Sequence, residues 1–200
     1  MKKLALLLLC VASAFAADQQ IRLEGVVMSD KGAFAQTNGI RYTQTVNTGY
    51  QGLLTEFRME TLQNKTSSVA HYNQNVLTGF DLRKNVPSYV SLGIVKPDII
   101  KIQHINLGLR VAAKGQFGPN GTNSALAVLE PRANISMGRL TLKAAYEYNT
   151  SMGKDSIKFN TKKLGVDYRL FKVMGVSAGY EQTKGFLHRN AWVGGLVFQL

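Results

Sequence analysis

Charged side chains in this chain recur on one face of short, alternating segments. From Ile21 to the last residue, apolar and polar positions alternate in runs that are separated by Gly, Asn, Asp and Pro. A period of two predicts β-strands, whereas an amphipathic helix repeats about every 3.6 residues. Within each run, the acids and bases lie at positions of one parity, either all even or all odd in residue number, as Glu56 and Arg58 do. The positions of the other parity are almost uncharged. The pattern therefore predicts an all-β protein whose sheet has two chemically distinct faces.

The two faces can be arranged in two ways. A soluble antiparallel sheet turns its polar face to water and buries the apolar face in a core. Here both signs of charge recur on the polar face of nearly every segment, and few long apolar runs exist to build a second core layer. An inverted sheet accounts for both features, because apolar residues then face lipid and the charges pair inside a narrow lumen. The sequence favours a closed antiparallel transmembrane up-and-down β-barrel, with a soluble β-barrel or sandwich as the alternative.

The last segment, residues 190–200, gives the reason to expect closure. It is an amphipathic strand at the end of the chain, and its free edge must pair with another strand. Here the chain resembles the bacterial outer-membrane β-barrel proteins, whose final strand carries a glycine followed by alternating apolar residues and an apolar or aromatic end. Gly195, Phe198 and Leu200 fit that pattern. Leu200 stands where the family most often has Phe, and Val193 where it usually has a polar residue.

The resemblance extends by architecture over the whole predicted mature chain and carries several expectations. It implies a location in the cell outer membrane, contact with outer-membrane lipids and lipopolysaccharide, and insertion by the outer-membrane assembly machinery. It also implies an even number of strands with both termini in the periplasm. It leaves the oligomeric state open.

The amino terminus has the features of a secretory signal peptide. Met1–Lys3 is basic, Leu4–Val11 is apolar, and Ala14–Ala16 is a small-x-small cleavage site. The sequence therefore predicts a signal peptide over residues 1–16 and one barrel domain over residues 17–200. A lipoprotein anchor at Cys10 is the alternative, although lipoprotein processing prefers a small residue before the cysteine and Leu9 stands there.

We expect the mature chain to begin at Ala17 and to contain no cysteine, because Cys10 leaves with the signal peptide. Intact-mass measurement of the protein extracted from outer membranes checks this directly. A lipid-modified chain beginning at Cys10 would contradict the prediction and support the anchor.

The alternating segments number eleven, which an even-stranded barrel does not allow. The weakest are Ile40–Val46 and Tyr89–Val95, so we expect ten strands, with eight and twelve open. Asn64–Asn75 has the composition of a loop, with the extension of a strand as the alternative. Lys96–Asp98 has the composition of a break between strands, and Val76–Leu82 alternates like a barrel strand.

The charged parity supplies the candidate residues of the lumen. A bore of about ten strands is narrow and largely filled by side chains. The bases predict a preference for anions in any passage, tempered by the acids beside them. The candidates are Glu56, Arg58, Glu60, Arg110, Glu130, Arg132, Lys143, Glu147, Asp167, Arg169 and Glu181.

The composition favours anionic partners. The formal net charge is +12, from 24 Lys and Arg against 12 Asp and Glu. For an exported bacterial protein this balance suggests lipopolysaccharide phosphates, acidic lipids or anionic solutes rather than nucleic acid. Lysines that only solvate exposed loops are the alternative. The basic candidates for the outer leaflet are Lys154, Lys158, Lys162, Lys184 and Arg189.

Catalytic motifs are scarce. His71, His104 and His188 are too far apart for a local metal-binding motif, so the sequence predicts neither a metal nor a cofactor. Residues 188–191 are faintly similar to the histidine-serine-asparagine-alanine run of the outer-membrane lipid A deacylases, but the nucleophilic serine is absent. We therefore predict a non-enzymatic envelope protein with limited passage of small, preferentially anionic solutes. A soluble periplasmic or secreted barrel that binds a lipid or anion, and a lipid-modifying enzyme, stay as alternatives.

Overall fold

The computed structural model describes residues 19–30, 36–64, 68–73, 76–82, 88–117, 123–153, 157–185 and 189–200. The predicted signal peptide lies outside these residues. No helix within the described ranges is long and apolar enough to cross a bilayer. The strands are β1 Gln19–Asp30, β2 Gln36–Asn47, β3 Leu54–Asn64, β4 Ser68–Asn73, β5 Val76–Leu82, β6 Ser88–Ile102, β7 Ile105–Phe117, β8 Asn123–Met137, β9 Leu140–Ser151, β10 Lys158–Arg169, β11 Met174–Gly185 and β12 Arg189–Gln199.

Ten of these strands close into a single antiparallel barrel. The order around the wall is β1, β12, β11, β10, β9, β8, β7, β6, β3 and β2, and β2 pairs with β1. The closing seam joins β1 to β12, with Gln20 opposite Gln199 and Glu24 opposite Gly195. Chain neighbours are wall neighbours everywhere except across β4 and β5, so the barrel has up-and-down topology. The predicted architecture and the predicted ten strands are confirmed.

The segment Val76–Leu82 is not a barrel strand. As β5 it pairs with β4 in a separate two-stranded sheet. The stretch Asn64–Asn75, predicted as a loop, contains β4. The alternation of Val76–Leu82 was indistinguishable from that of the wall strands, but β3 pairs directly with β6 and leaves no place for it. The two weakest predicted segments, Ile40–Val46 and Tyr89–Val95, both belong to the wall, in β2 and β6.

The predicted break at Lys96–Asp98 is a bulge within β6. The pairing of β6 with β7 shifts between Lys96 and Ile100, and the strand then continues to Ile102. Gly108 on β7 makes room for this bulge, since a Cβ there would lie 2.6 Å from the carbonyl oxygen of Pro97. Pro97 lacks a backbone donor, and a bulge is a position in a sheet where that loss is tolerated.

The two ends of the barrel differ. Residues 48–53, 103–104, 138–139 and 170–173 form turns at the end that also carries Gln19 and Leu200, which we call the turn end. Gly138 has a φ of 61°, which suits glycine in a tight turn. The opposite end, the loop end, carries the long connection 65–87 that contains β4 and β5. In bacterial barrels short turns are periplasmic and longer loops face the exterior.

The wall is apolar outside and charged inside. Trp192 and Leu164 point outward and are 67% and 63% exposed, whereas Arg110 and Glu130 point inward and are 1% and 2% exposed. A soluble protein would show the opposite distribution, because water stabilises exposed charge and disfavours exposed apolar surface. The outward apolar surface therefore matches lipid, and the barrel is transmembrane.

Candidate functional site in the barrel lumen

Nine basic and seven acidic side chains among the described residues line the space inside the barrel. Residues two apart on a strand point to the same face, so each strand contributes its charges at alternate positions. The basic ones are Arg22, Arg41, Arg58, Arg110, Lys114, Arg132, Lys143, Lys163 and Arg189. The acidic ones are Glu24, Glu56, Glu60, Glu130, Glu147, Asp167 and Glu181.

Glu56 on β3 is the centre of the network. Glu56 is 3% exposed, and its two carboxylate oxygens accept hydrogen bonds of 2.9 and 3.1 Å from Arg132. Arg58 donates a third at 3.2 Å. Arg110 Nε lies 2.7 Å from the same carboxylate, without hydrogen-bond alignment. Because β6 and β7 separate β3 from β8 in the wall, the contact with Arg132 crosses the lumen.

Glu130 and Glu147 extend the network to the neighbouring strands. Glu130 on β8 accepts hydrogen bonds from Arg132 at 2.5 Å and from Lys163 at 2.9 Å. Glu147 on β9 accepts one from Lys114 at 2.9 Å and also pairs with Lys163. Two ammonium groups and a guanidinium thus meet two buried carboxylates, which lowers the cost of holding each charge away from bulk water.

Arg41 on β2 bridges two sides of the lumen. Its Nε donates to Glu60 on the neighbouring β3 at 2.6 Å. Its terminal nitrogens donate to both oxygens of Glu181 at 2.7 and 2.8 Å. Glu181 is on β11, two strands beyond β1, so the bidentate pair fixes the guanidinium across the bore.

A second cluster lies nearer the turn end. Asp167 on β10 pairs with both Arg22 and Lys143. Arg22 also donates to Glu24 at 3.2 Å, and Ser177 donates to the same carboxylate at 3.0 Å. Lys143 is the more accessible cation here, with 31% of its side chain exposed.

Two cavities lie on either side of the central ion pairs. The cavity at the turn end has a volume of about 410 Å³, and the one nearer the loop end has about 60 Å³. Arg41, Arg58, Lys163 and Glu181 line both, so they stand between the two spaces. We call these four residues, together with the Glu56, Glu130 and Glu147 carboxylates that Arg58 and Lys163 contact, the central layer.

The structure brings ten of the eleven predicted lumen residues into this network. Arg169 is the exception, because it lies at the last position of β10, is exposed, and makes no ion pair among the described residues. Sequence reasoning missed Arg22, Glu24, Arg41, Lys114 and Lys163. All five have the parity of the charged face, so alternation alone could have found them.

The basic residues predicted for the outer leaflet do not all lie on the outward face. Lys158, Lys162 and Lys184 are exposed on the outward face near the loop end. Arg189 instead points inward, where it is 9% exposed and lines the smaller cavity beside Tyr89. Its register opposite Thr183 gives it the inward parity of β12, which corrects the expectation. Lys154 lies outside the described residues.

The predicted closing-strand residues lie at the seam. Gly195 stands opposite Glu24 of β1, and Phe198 stands opposite Ile21. Leu200 exchanges backbone hydrogen bonds with Gln19 at 2.9 and 3.2 Å, beyond the last ladder pair. The end of the chain therefore completes the wall at the turn end.

Within the described part of the chain, no group of three or more His, Cys, Asp and Glu residues could hold a metal ion. His104 lies in the turn between β6 and β7 and is exposed, and His71 lies in β4, outside the barrel. His188, from the run that is faintly similar to the deacylases, lies outside the described residues.

An apolar outer wall around an ionic lumen defines a small transmembrane β-barrel protein. No protein-family model and no curated protein matches the chain. Among solved structures, the chain is similar to "KdgM porin in complex with disordered oligogalacturonate" at 7% identity and a TM-score of 0.48, over 92% of this chain and 99% of that chain. It is similar to NanC porin at 10% identity and a TM-score of 0.49, over 90% and 100% of the two chains. It is similar to outer membrane phospholipase A from Escherichia coli at 9% identity and a TM-score of 0.46, over 90% of this chain and 92% of that chain. These likenesses concern the fold alone.

Proposed function

We propose that this barrel is an envelope protein that provides a restricted passage for small, preferentially anionic solutes. The observation that carries the proposal is the excess of two basic side chains over acidic ones among the described residues that line the space inside the barrel. In a narrow bore with a low-dielectric wall, a small excess of fixed charge acts strongly on a passing ion.

Unpaired polar atoms support a hydrated lumen. Besides Arg110 Nε, which lies against the Glu56 carboxylate, four buried side-chain atoms on the inward face have no hydrogen-bond partner in the described protein: Arg58 Nε, Asn106 Oδ1, Gln116 Oε1 and Asn149 Nδ2. Buried polar groups are costly unless they are hydrogen-bonded, so water or a mobile ion is expected at these positions. Water in the bore is a requirement for ion passage.

The central layer limits the size of what can pass. Three of its acidic members, Glu56, Glu130 and Glu147, are each 3% exposed or less, and each is paired with at least two bases. A solute must move between these side chains or displace them. We therefore propose low conductance and exclusion of large solutes.

Planar bilayers under a potassium chloride gradient test the selectivity. We expect small conductance steps and a reversal potential of the sign given by chloride preference. Lys143→Gln removes an accessible lumen cation and leaves Arg22 to neutralise Asp167, so the reversal potential should move toward zero.

Lys172→Gln is the matched control, because it removes the same charge from an exposed residue in the turn between β10 and β11. Its reversal potential should equal that of the unmodified protein. Potassium preference at neutral pH, or conductance no greater than that of a bare bilayer, would overturn the proposal while leaving the fold intact.

A further inference from the structure

Charges are almost absent from the outward face of the barrel. Among outward-facing positions of the described wall strands, charged side chains occur in two places. One is the Lys96–Asp98 ion pair at the bulge near the turn end, with Nζ and Oδ1 3.1 Å apart. The other is a group of three lysines on the adjacent strands β10 and β11, Lys158, Lys162 and Lys184, which we call the lysine patch.

The patch is compact. Lys158 and Lys162 lie four residues apart on one face of β10, which spans about 13 Å along the strand. Lys184 on β11 stands opposite Asn160, midway between them. Diagonal neighbours of this kind are about 7–8 Å apart, so Lys184 is within reach of both other lysines.

None of the three lysines makes an ion pair with an acidic side chain among the described residues, and all three are exposed. Near the loop end, the outward-facing positions of the described wall strands carry no carboxylate. Neighbouring ammonium groups repel one another, and an apolar wall does not stabilise them. A partner with negative charge would relieve both costs.

Aromatic rings adjoin the patch on both sides. Tyr146 stands opposite Lys162 on β9, and its ring lies 4.5 Å from that of Tyr148. The Tyr180 ring on β11 lies 5.0 Å from that of Trp192. Tyr and Trp on the outward face of a barrel are typical of the boundary between acyl chains and headgroups. The lysines are therefore at headgroup depth, on the side of the longer loops.

We propose that the lysine patch binds the phosphate groups of a lipid in the outer leaflet. Ammonium groups bind phosphate as point charges, and the acyl chains of the same lipid would lie against the aromatic rings below. Three cations spread over about 13 Å suit a headgroup that carries two phosphates better than one that carries a single phosphate. The partner is thus a diphosphorylated lipid.

Trp192 is a built-in reporter for this test, because it is the chain's only tryptophan and belongs to the ring pair beside the patch. The folded barrel in neutral detergent is titrated with a diphosphorylated glycolipid that has brominated acyl chains, and in parallel with brominated phosphatidylcholine. Bromine quenches Trp192 when the lipid is adjacent. We expect the diphosphorylated lipid to bind at least tenfold more tightly, and brominated phosphatidylglycerol, with one phosphate, to be intermediate.

The triple variant Lys158→Gln, Lys162→Gln, Lys184→Gln should lose this preference, since each lysine at an anionic surface contributes about fivefold. The control variant Lys101→Gln, Arg139→Gln, Lys172→Gln removes three exposed charges at the turn end and should keep it. Heat-dependent gel mobility verifies that both variants are folded. Equal binding of the lipids to the unmodified protein, or a preference that survives in the triple patch variant, would overturn the proposal.

Discussion

Replacing Glu56 with glutamine is expected to destabilise the folded barrel by about 3–5 kcal/mol. The carboxylate is 3% exposed and is shared by Arg58, Arg110 and Arg132. Glutamine has nearly the same shape but carries no charge, so three guanidinium groups would face one another without their common counter-ion. Urea unfolding in detergent micelles, followed by Trp192 fluorescence, measures the change in the free energy of unfolding.

The matched control is Asp98→Asn, which removes the same charge from an exposed pair. Asp98 lies 3.1 Å from Lys96, and the two side chains are 45% and 33% exposed. Such a pair contributes at most about 1 kcal/mol. Adding Arg110→Gln to Glu56→Gln should recover part of the lost stability, because it removes one of the three guanidinium groups that have lost the Glu56 counter-ion. A Glu56 variant no less stable than the Asp98 variant would show that the central layer is not a buried network.

The alternation of the sequence was sufficient to predict the class of fold and the inward charges. Glu130 and Arg132, two residues apart on β8, share a face whatever the rest of the chain does. The face on which a side chain lies depends only on its own strand. A prediction of that face therefore stays correct even when the predicted number of strands is wrong. The same rule would have placed Arg41 and Lys163 in the lumen had it been applied to every segment.

The partners across the lumen could not be predicted in this way. Arg41 contacts Glu181, 140 residues later in the chain, because closure of β1 on β12 brings β2 close to β11. Parity determines the face of a side chain but carries no information about the stagger of one strand against the next. The identity of each ion pair depends on that stagger.

Two errors had local causes. Val76–Leu82 alternates as the wall strands do, and alternation does not specify which sheet a strand joins. Arg189 was predicted to lie at the outer leaflet with Lys184, whereas β12 begins at Arg189 and turns its side chain inward. At a strand end, a one-residue difference in the boundary decides whether a side chain belongs to a loop or to the inward face.

The closing strand yields the last prediction, that Gly195→Ala weakens or prevents closure of the barrel. A Cβ at Gly195 would overlap the carbonyl oxygen of Leu23 and lie 2.6 Å from Cα of Glu24, both on β1. These are backbone atoms of the seam, so they cannot move aside as a flexible side chain would. We expect a cost of about 3 kcal/mol. Heat-dependent gel mobility should show a reduced folded fraction.

Gly194→Ala separates this steric effect from the general effect of replacing a strand glycine. Gly194 is the preceding residue on β12, and a Cβ there would lie 3.5 Å from the nearest atom, the carbonyl oxygen of Ser177, which is an ordinary contact. Both substitutions add one methyl group and reduce backbone freedom equally in the unfolded chain. The folded fraction of the Gly194 variant should therefore equal that of the unmodified protein. If both variants fold equally well, β1 and β12 do not approach as closely at Gly195 as the seam requires, and the glycine of the closing strand has another role.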